Sequence, residues 1–173
     1  MRLSDCLYAS VNVMHRQRGF SLIELLIVIA IILVIAAIAI PNLMKSRIAA
    51  NEASAVGSLR AVNTAEVTYN TTYNTYTCSL LALGPPSGGS FPSSSAAGIL
   101  DANLAAGFKS GYAFTPGTCN VSSTGLTTSY QWLAAPSAPG TSGSRYFCTD
   151  DTFNIRVDPN SSANCLSIGS PVA

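Results

Sequence analysis

The hydrophobic and polar positions of the chain fall into three textures. Residues 1–19 are short, polar and basic, with Arg2, His15, Arg16 and Arg18 set against Asp5. From Leu25 to Ile40 there are 16 residues without one polar side chain. Beyond them the chain is polar but sparsely charged. Counted from Phe20, the apolar stretch has 21 residues, which as a helix span about 31 Å, close to the ~30 Å of bilayer hydrocarbon. A segment of this kind predicts a membrane span. It is long for the core of a secretory signal peptide, although small residues at Ala49 and Ala50 follow it. Lys45 and Arg47 on one side compete with Arg16 and Arg18 on the other, so the basic residues do not set the orientation.

Past the apolar run, Pro41 sits inside an otherwise continuous helical pattern, where it removes one backbone hydrogen bond and predicts a bend. Then Ile48, Ala55, Leu59, Val62, Tyr69, Tyr73 and Tyr76 recur at spacings of seven, four, three, seven, four and three. That is one helical stripe, and it predicts an amphipathic second half of the same helix, from residue 42 to 76. Lys45, Arg47, Glu52, Arg60 and Glu66 are expected mostly off the stripe. The tyrosines read more simply as packing than as an aromatic path for charge. One residue breaks the apolar half: Glu24, a carboxylate in the first turn, where an unpaired acid is costly and a cationic or hydrogen-bonding partner is expected.

From residue 77 to 173 the pattern changes to short runs of aromatic and β-branched residues between turns. Strands are predicted over Lys109–Thr115, Leu126–Ala135, Arg145–Thr149 and Phe153–Val157, the last two forming a hairpin across Asp150-Asp151-Thr152. A Gly/Ser/Pro loop covers Gly84–Ser95, a short helix is expected within Ala96–Ala106, and Pro136–Ser144 reads as a surface connection. The elements predict an α+β chain, a long helix followed by short strands, with the helical stripe available to pack on a sheet or on neighbouring helices.

Composition narrows the chemistry. Only 10% of the 173 residues are Asp, Glu, Lys or Arg, about a quarter being usual. A net charge of +1 offers no footprint for nucleic acid. His15 is the only histidine, so the chain after residue 19 has no Ser-His-Asp or Cys-His set and no imidazole metal ligand. No phosphate-binding glycine loop is present. The sequence reads as a non-enzyme with no cofactor and no metal. Asp150, Asp151 and Asp158 are carboxylates in the last quarter of the chain, the first two reading most simply as turn residues. Cys78, Cys119, Cys148 and Cys165 lie at gaps of 41, 29 and 17 positions, without a Cys-x-x-Cys pair. This disfavours zinc, and in an oxidising compartment it suggests two disulfides in one of three connectivities.

Arg18-Gly19-Phe20-Ser21-Leu22-Ile23-Glu24-Leu25-Leu26, followed by an Ile/Val/Ala run and Pro41, resembles the type IV prepilin signature, shared with the pseudopilins of type II secretion. The resemblance covers roughly residues 16–43. It implies the pilin fold and a leader, residues 1–19, removed by prepilin peptidase on the cytoplasmic side of the membrane. Gly19 would be the cleavage residue, and Phe20 the N-methylated first residue of the mature chain. Glu24 would pair with the amino terminus of a neighbouring subunit, Pro41 would be the kink, and residues 20–41 would be the membrane span and later the filament core. The implied partners are further copies of the chain, the peptidase, and an inner-membrane assembly platform with its ATPase. The implied locations are the inner membrane, single-pass, and then an extracellular pilus serving adhesion, motility or DNA uptake. For the head, the preferred pairing is Cys78 with Cys119 and Cys148 with Cys165, the second pinning the carboxyl-terminal tail to a strand, as happens near the tail in many pilins. The competing readings are a type II secretion pseudopilin, a relative that commonly binds calcium in a carboxyl-terminal loop and would imply Asp150, Asp151 and Asp158 as its oxygen ligands, and a membrane-anchored binding module that never polymerises.

Overall fold

The computed structural model describes residues 19–158 and 170–172. Residues 1–18, which include most of the expected leader, and Cys165 lie outside the described residues. The chain divides between Ile40 and Pro41 into two units. One helix, α1 (Leu22–Tyr73), supplies residues to both and carries Pro41 in its interior.

In the first unit α1 is apolar all round. From Leu22 to Ile40 its large side chains are half or more exposed within the chain, as expected of a helix whose surroundings are lipid or other helices rather than its own core. It is long and apolar enough to cross a membrane.

In the second unit the remainder of α1 packs on a six-stranded antiparallel sheet. Its strands are β1 (Phe108–Lys109), β2 (Tyr112–Pro116), β5 (Gln131–Pro136), β6 (Tyr146–Asp150), β7 (Arg156–Asp158) and β8 (Ser170–Pro171), adjacent in that order. Between β2 and β5 the chain forms a separate two-stranded ribbon, β3 (Asn120–Val121) and β4 (Thr127–Ser129). The alternation characteristic of a half-buried sheet is visible in β2 and β5, where Tyr112, Phe114, Trp132 and Ala134 are buried and their neighbours are not. Cross-strand pairs Phe114↔Ala134 and Ala134↔Phe147 continue this face across β2, β5 and β6. Ala55, Leu59, Val62 and Tyr69 of α1 complete one core with it.

The expected β6–β7 hairpin is present, with Tyr146 opposite Asp158. Other boundaries moved. The strand expected over Lys109–Thr115 is interrupted at Ser110-Gly111, both at positive φ, which makes a two-residue hairpin between β1 and β2 in the left-handed conformation such turns require. The strand expected from Leu126 breaks at Tyr130, whose buried side chain turns into the core. Phe153 is a turn residue at φ 65, and β7 begins only at Arg156. The expected helix within Ala96–Ala106 shrinks to α3 (Ala102–Ala105), whose first turn is capped by Asp101 accepting from the Leu104 amide at 3.0 Å. A further four-residue helix, α2 (Leu80–Leu83), was not expected. α1 stops at Tyr73 rather than Tyr76, because Asn74 takes a positive φ and Tyr76 instead bridges to Thr127.

Cys78 and Cys119 are bonded, as preferred in the sequence reading, and the bridge ties the start of α2 to the β3 ribbon across 41 positions. Closing a loop of that length removes unfolded-chain entropy. The paired substitution Cys78→Ser, Cys119→Ser is expected to lower stability by about 2–4 kcal/mol, measured as a drop in the denaturant midpoint of the full chain in detergent.

Candidate functional site

At the amino-terminal end of α1 the polar groups are few. The backbone N–H groups of Glu24 and Leu25 both donate to the Ser21 carbonyl, at 3.1 and 3.3 Å. The Ser21 N–H in turn points at Glu24 Oε2 at 3.4 Å. Ser21-Leu22-Ile23-Glu24 thus forms the glutamate half of a capping box, in which the acid three residues into the helix reaches back to satisfy an orphan amide. The carboxylate also sits where the helix dipole favours negative charge. Both Glu24 and the Phe20 side chain, 82% accessible, are exposed within the chain. Gly19, Phe20 and Glu24 are therefore neighbours at one helix end, while Pro41 lies seventeen residues beyond Glu24 along the same element.

The second unit holds two acids that the hydrophobic pattern placed off the packing stripe, and both are buried in it. Glu52 retains 5% of its accessible surface and Glu66 none. The stripe's gaps of seven residues, from Ile48 to Ala55 and from Val62 to Tyr69, are where they belong. Glu52 stands four after Ile48 and three before Ala55, and Glu66 stands four after Val62 and three before Tyr69. The signal was available as a missing beat in a four-three rhythm.

Glu52 is held by the connection between β5 and β6. Its Oε1 accepts from the Ser144 amide at 3.0 Å, the Ser144 hydroxyl at 2.9 Å and the Arg145 amide at 3.2 Å. Its Oε2 accepts from Arg145 Nε at 2.8 Å and pairs with Nη2 at 2.7 Å, the two-pronged geometry special to arginine. Burial opposes ionisation of Glu52, but these hydrogen bonds outweigh it and hold its pKa below the ordinary carboxylate value. The same connection is fixed by Asn51 Nδ2 donating to the Ser142 carbonyl at 2.8 Å and by the Tyr112 hydroxyl donating to the Arg145 carbonyl at 2.8 Å. Gly143 is required there, since a Cβ would lie 2.1 Å from the Tyr112 hydroxyl oxygen. Burial pushes the Tyr112 phenol up to about 12, so it remains a donor.

Glu66 is held differently. Its Oε1 accepts from the Trp132 indole N–H at 3.0 Å and its Oε2 from the Thr77 amide at 3.0 Å. Both donors are neutral. Burial pushes the carboxyl up to about 7, against the two hydrogen bonds that favour its charged form. One turn earlier Asn63 donates to Thr149 Oγ1 at 2.8 Å and accepts from the Tyr130 hydroxyl at 3.2 Å. One turn later Tyr69 donates to the Ser94 carbonyl at 2.7 Å.

Cys148, buried in β6, is disulfide-bonded, and its expected partner Cys165 lies outside the described residues. Asp150 accepts from the Thr152 amide at 3.0 Å and from the Thr152 hydroxyl, and its carbonyl accepts from the Phe153 amide at 2.9 Å. This is turn chemistry, and Asp158 is buried two strand residues beyond Arg156. Among the described residues no group of three His, Cys, Asp or Glu side chains is placed to hold a metal.

The model for the prokaryotic N-terminal methylation motif matches residues 14–40. Over 54 residues the chain is 48% identical to the type IV major pilin protein PilA of Myxococcus xanthus, covering 31% of this chain and 24% of that protein. Over 70 residues it is 43% identical to the type IV wide pilus major component PilA4 of Thermus thermophilus, covering 40% and 53%. Over 62 residues it is 37% identical to the type II secretion system core protein G of Pectobacterium carotovorum, covering 36% and 40%. Each similarity is partial: the motif model matches residues 14–40, and the matched stretches cover 31–40% of this chain. Its matches span from about a quarter to about half of the length of these relatives.

Replacing Glu52 by Gln keeps the shape and removes the charge that Arg145 and Ser144 address, and is expected to cost about 1.5–3 kcal/mol at pH 7. Because the folded-state pKa of Glu52 is depressed, its contribution is present above the unfolded value of 4.5 and is lost as pH falls through the folded value. The gap between wild type and Glu52→Gln in denaturant titrations should therefore close in acid.

Proposed function

We propose that the chain is the structural subunit of a type IV pilus, made as a membrane-anchored precursor and polymerised into a helical filament. The observation that carries this reading is the pairing of a fully apolar, fully presented helix with a single acid in its first turn. Such a helix is stable in lipid, and in a filament it exchanges lipid contacts for close packing with other copies, where Ala30, Ala36, Ala37 and Ala39 offer small surfaces. The acid has no role in lipid and is a liability there.

In this reading prepilin peptidase cuts after Gly19 and the new Phe20 amine is methylated, which preserves its positive charge. That amine then pairs with Glu24 of an adjoining copy inside the apolar filament core, compensating both ions where neither is hydrated. Pro41 divides the helix into its core half, 20–41, and its head-bearing half, 42–76, with 77–173 forming the rest of the head, and is the site of the kink. The second disulfide joins Cys148 to Cys165. The assembly platform and its ATPase draw subunits from the inner membrane, and the filament emerges at the cell surface for adhesion, motility or DNA uptake.

The similarity to a type II secretion core protein supports a second reading, a pseudopilin using the same Glu24 pairing in a short fibre. Mass spectrometry of filaments sheared from intact cells separates them. Abundant chain beginning at methylated Phe20 is expected for the pilus subunit; processed chain confined to the inner membrane would favour the pseudopilin, and chain still beginning at Met1 would overturn both. Glu24→Leu is expected to leave processing intact while filament yield falls at least tenfold, and unchanged filament number and length would remove the assembly role.

A further inference from the structure

Glu66 is a buried carboxylate that the assembly reading does not use. It has no accessible surface, and it stands where three parts of the second unit meet: α1, the segment that leaves it through Thr77, and β5 through Trp132. Among the described residues no lysine or arginine forms an ion pair with it, in contrast to Glu52 and Arg145. The titratable groups facing it are Tyr69 on its own helix and Tyr130 ahead of β5. Both phenols are pushed upward, by burial first and also by the Glu66 charge, so they remain neutral when Glu66 titrates. Asp150 and Asp151 act on Tyr130 in the same sense. The remaining neighbours are the neutral amide of Asn63 one turn away and the neutral donors themselves.

A carboxyl group in this position has two unequal ways of being satisfied. Charged, it offers an acceptor to each of the two donors but carries an uncompensated ion in a dry site. Protonated, it loses the ion, but its O–H now faces one of the two N–H groups, and that donor is left without its partner. Gain or loss of a proton therefore changes which of Trp132 and Thr77 is bonded to α1.

We propose that Glu66 is a proton-operated switch in the junction between α1 and the sheet, redistributing the indole and amide donors as its carboxyl changes charge. Its elevated pKa of about 7 places the change where the environment of an exported protein varies. The sign follows from the same elevation. The folded state holds the proton more tightly than the unfolded chain, so the contribution of Glu66 to stability is complete below 4.5 and is lost as pH rises through about 7. Mild acid stabilises the folded unit by removing the buried ion although one junction hydrogen bond is given up, and mild alkali restores that bond at the cost of the ion.

The chain contains one tryptophan and three glutamates, so the switch has two clean readouts. In the full chain in neutral detergent, Trp132 emission is expected to shift sigmoidally between pH 5 and 9 with a midpoint near 7, and the denaturant midpoint is expected to fall over the same range. In Glu66→Gln both are expected to be flat, and taking the difference between the two chains cancels the titration of His15. Should Glu66→Gln not fold, glutamate-selective carbon-13 labelling of Glu24→Gln leaves two carboxyl signals, one expected to titrate near 7 and the other, from Glu52, below 4.5. Flat wild-type emission in a folded chain, a transition retained in Glu66→Gln, or two carboxyl midpoints below 5 would each overturn the proposal.

Discussion

A fully buried carboxylate binds the second unit of this protein together. Glu66 lies near the carboxyl-terminal end of the packed part of α1, and its two oxygens meet donors from the strand beneath and from the chain segment that leaves the helix. The segment it holds leads directly to Cys78, and thereby to the disulfide that secures the β3 ribbon. Trp132, the partner on the strand, is one of the largest fully buried side chains. An acid at this point is expensive to bury, and its cost is contained only because both donors are rigidly placed, one by the sheet and one by the bridge that follows. The helix cannot slide along the sheet by a turn without leaving a charge and two N–H groups unmet, so the polar contacts fix a register that apolar packing alone would leave loose.

The same logic runs along the helix in steps. Asn51 and Glu52 hold the β5–β6 connection, Asn63 holds β6 and the approach to β5, Glu66 holds β5 and the outgoing segment, and Tyr69 holds the Gly/Ser/Pro loop at Ser94. Long, weakly polar loops with few apolar residues have little to bury. They are placed instead by side chains that the helix sends to their backbone, which is why so loop-rich a chain forms one core.

Much of this was legible from residues. The apolar run, the stripe on the second half of the helix and the β6–β7 hairpin follow from periodicity and turn chemistry, because each is a local rule applied over many residues. The preferred pairing of Cys78 with Cys119 is also observed. What the pattern missed is informative: Glu52 and Glu66 were assigned to the water side because their type is rarely buried, although their positions completed the stripe. Position prevailed over residue type because Arg145, Ser144, Trp132 and Thr77, all more than ten residues away in sequence, come into reach only in the fold. The strand breaks at Gly111 and Tyr130 escaped for the opposite reason. There the local apolar pattern was continuous, and the interruption came from a two-residue turn and from a tyrosine required by the core.

All three glutamates of the chain lie on α1, and each meets a different electrostatic answer. Glu52 has a guanidinium and two backbone amides. Glu66 has two neutral donors and a pKa raised in consequence of its burial. Glu24, among the described residues, has one long contact to the Ser21 amide three residues before it. The first two are satisfied within the chain because folding brings a partner to them across the sheet. Glu24 stands on a stretch of helix whose large side chains are exposed within the chain, and among the described residues its hydrogen bond is to the Ser21 amide of its own turn. In the filament proposed above, that carboxylate takes its cation from another copy. On that proposal a row of identical helices, each presenting a charged amine to the acid of the next, gives every copy its partner in turn.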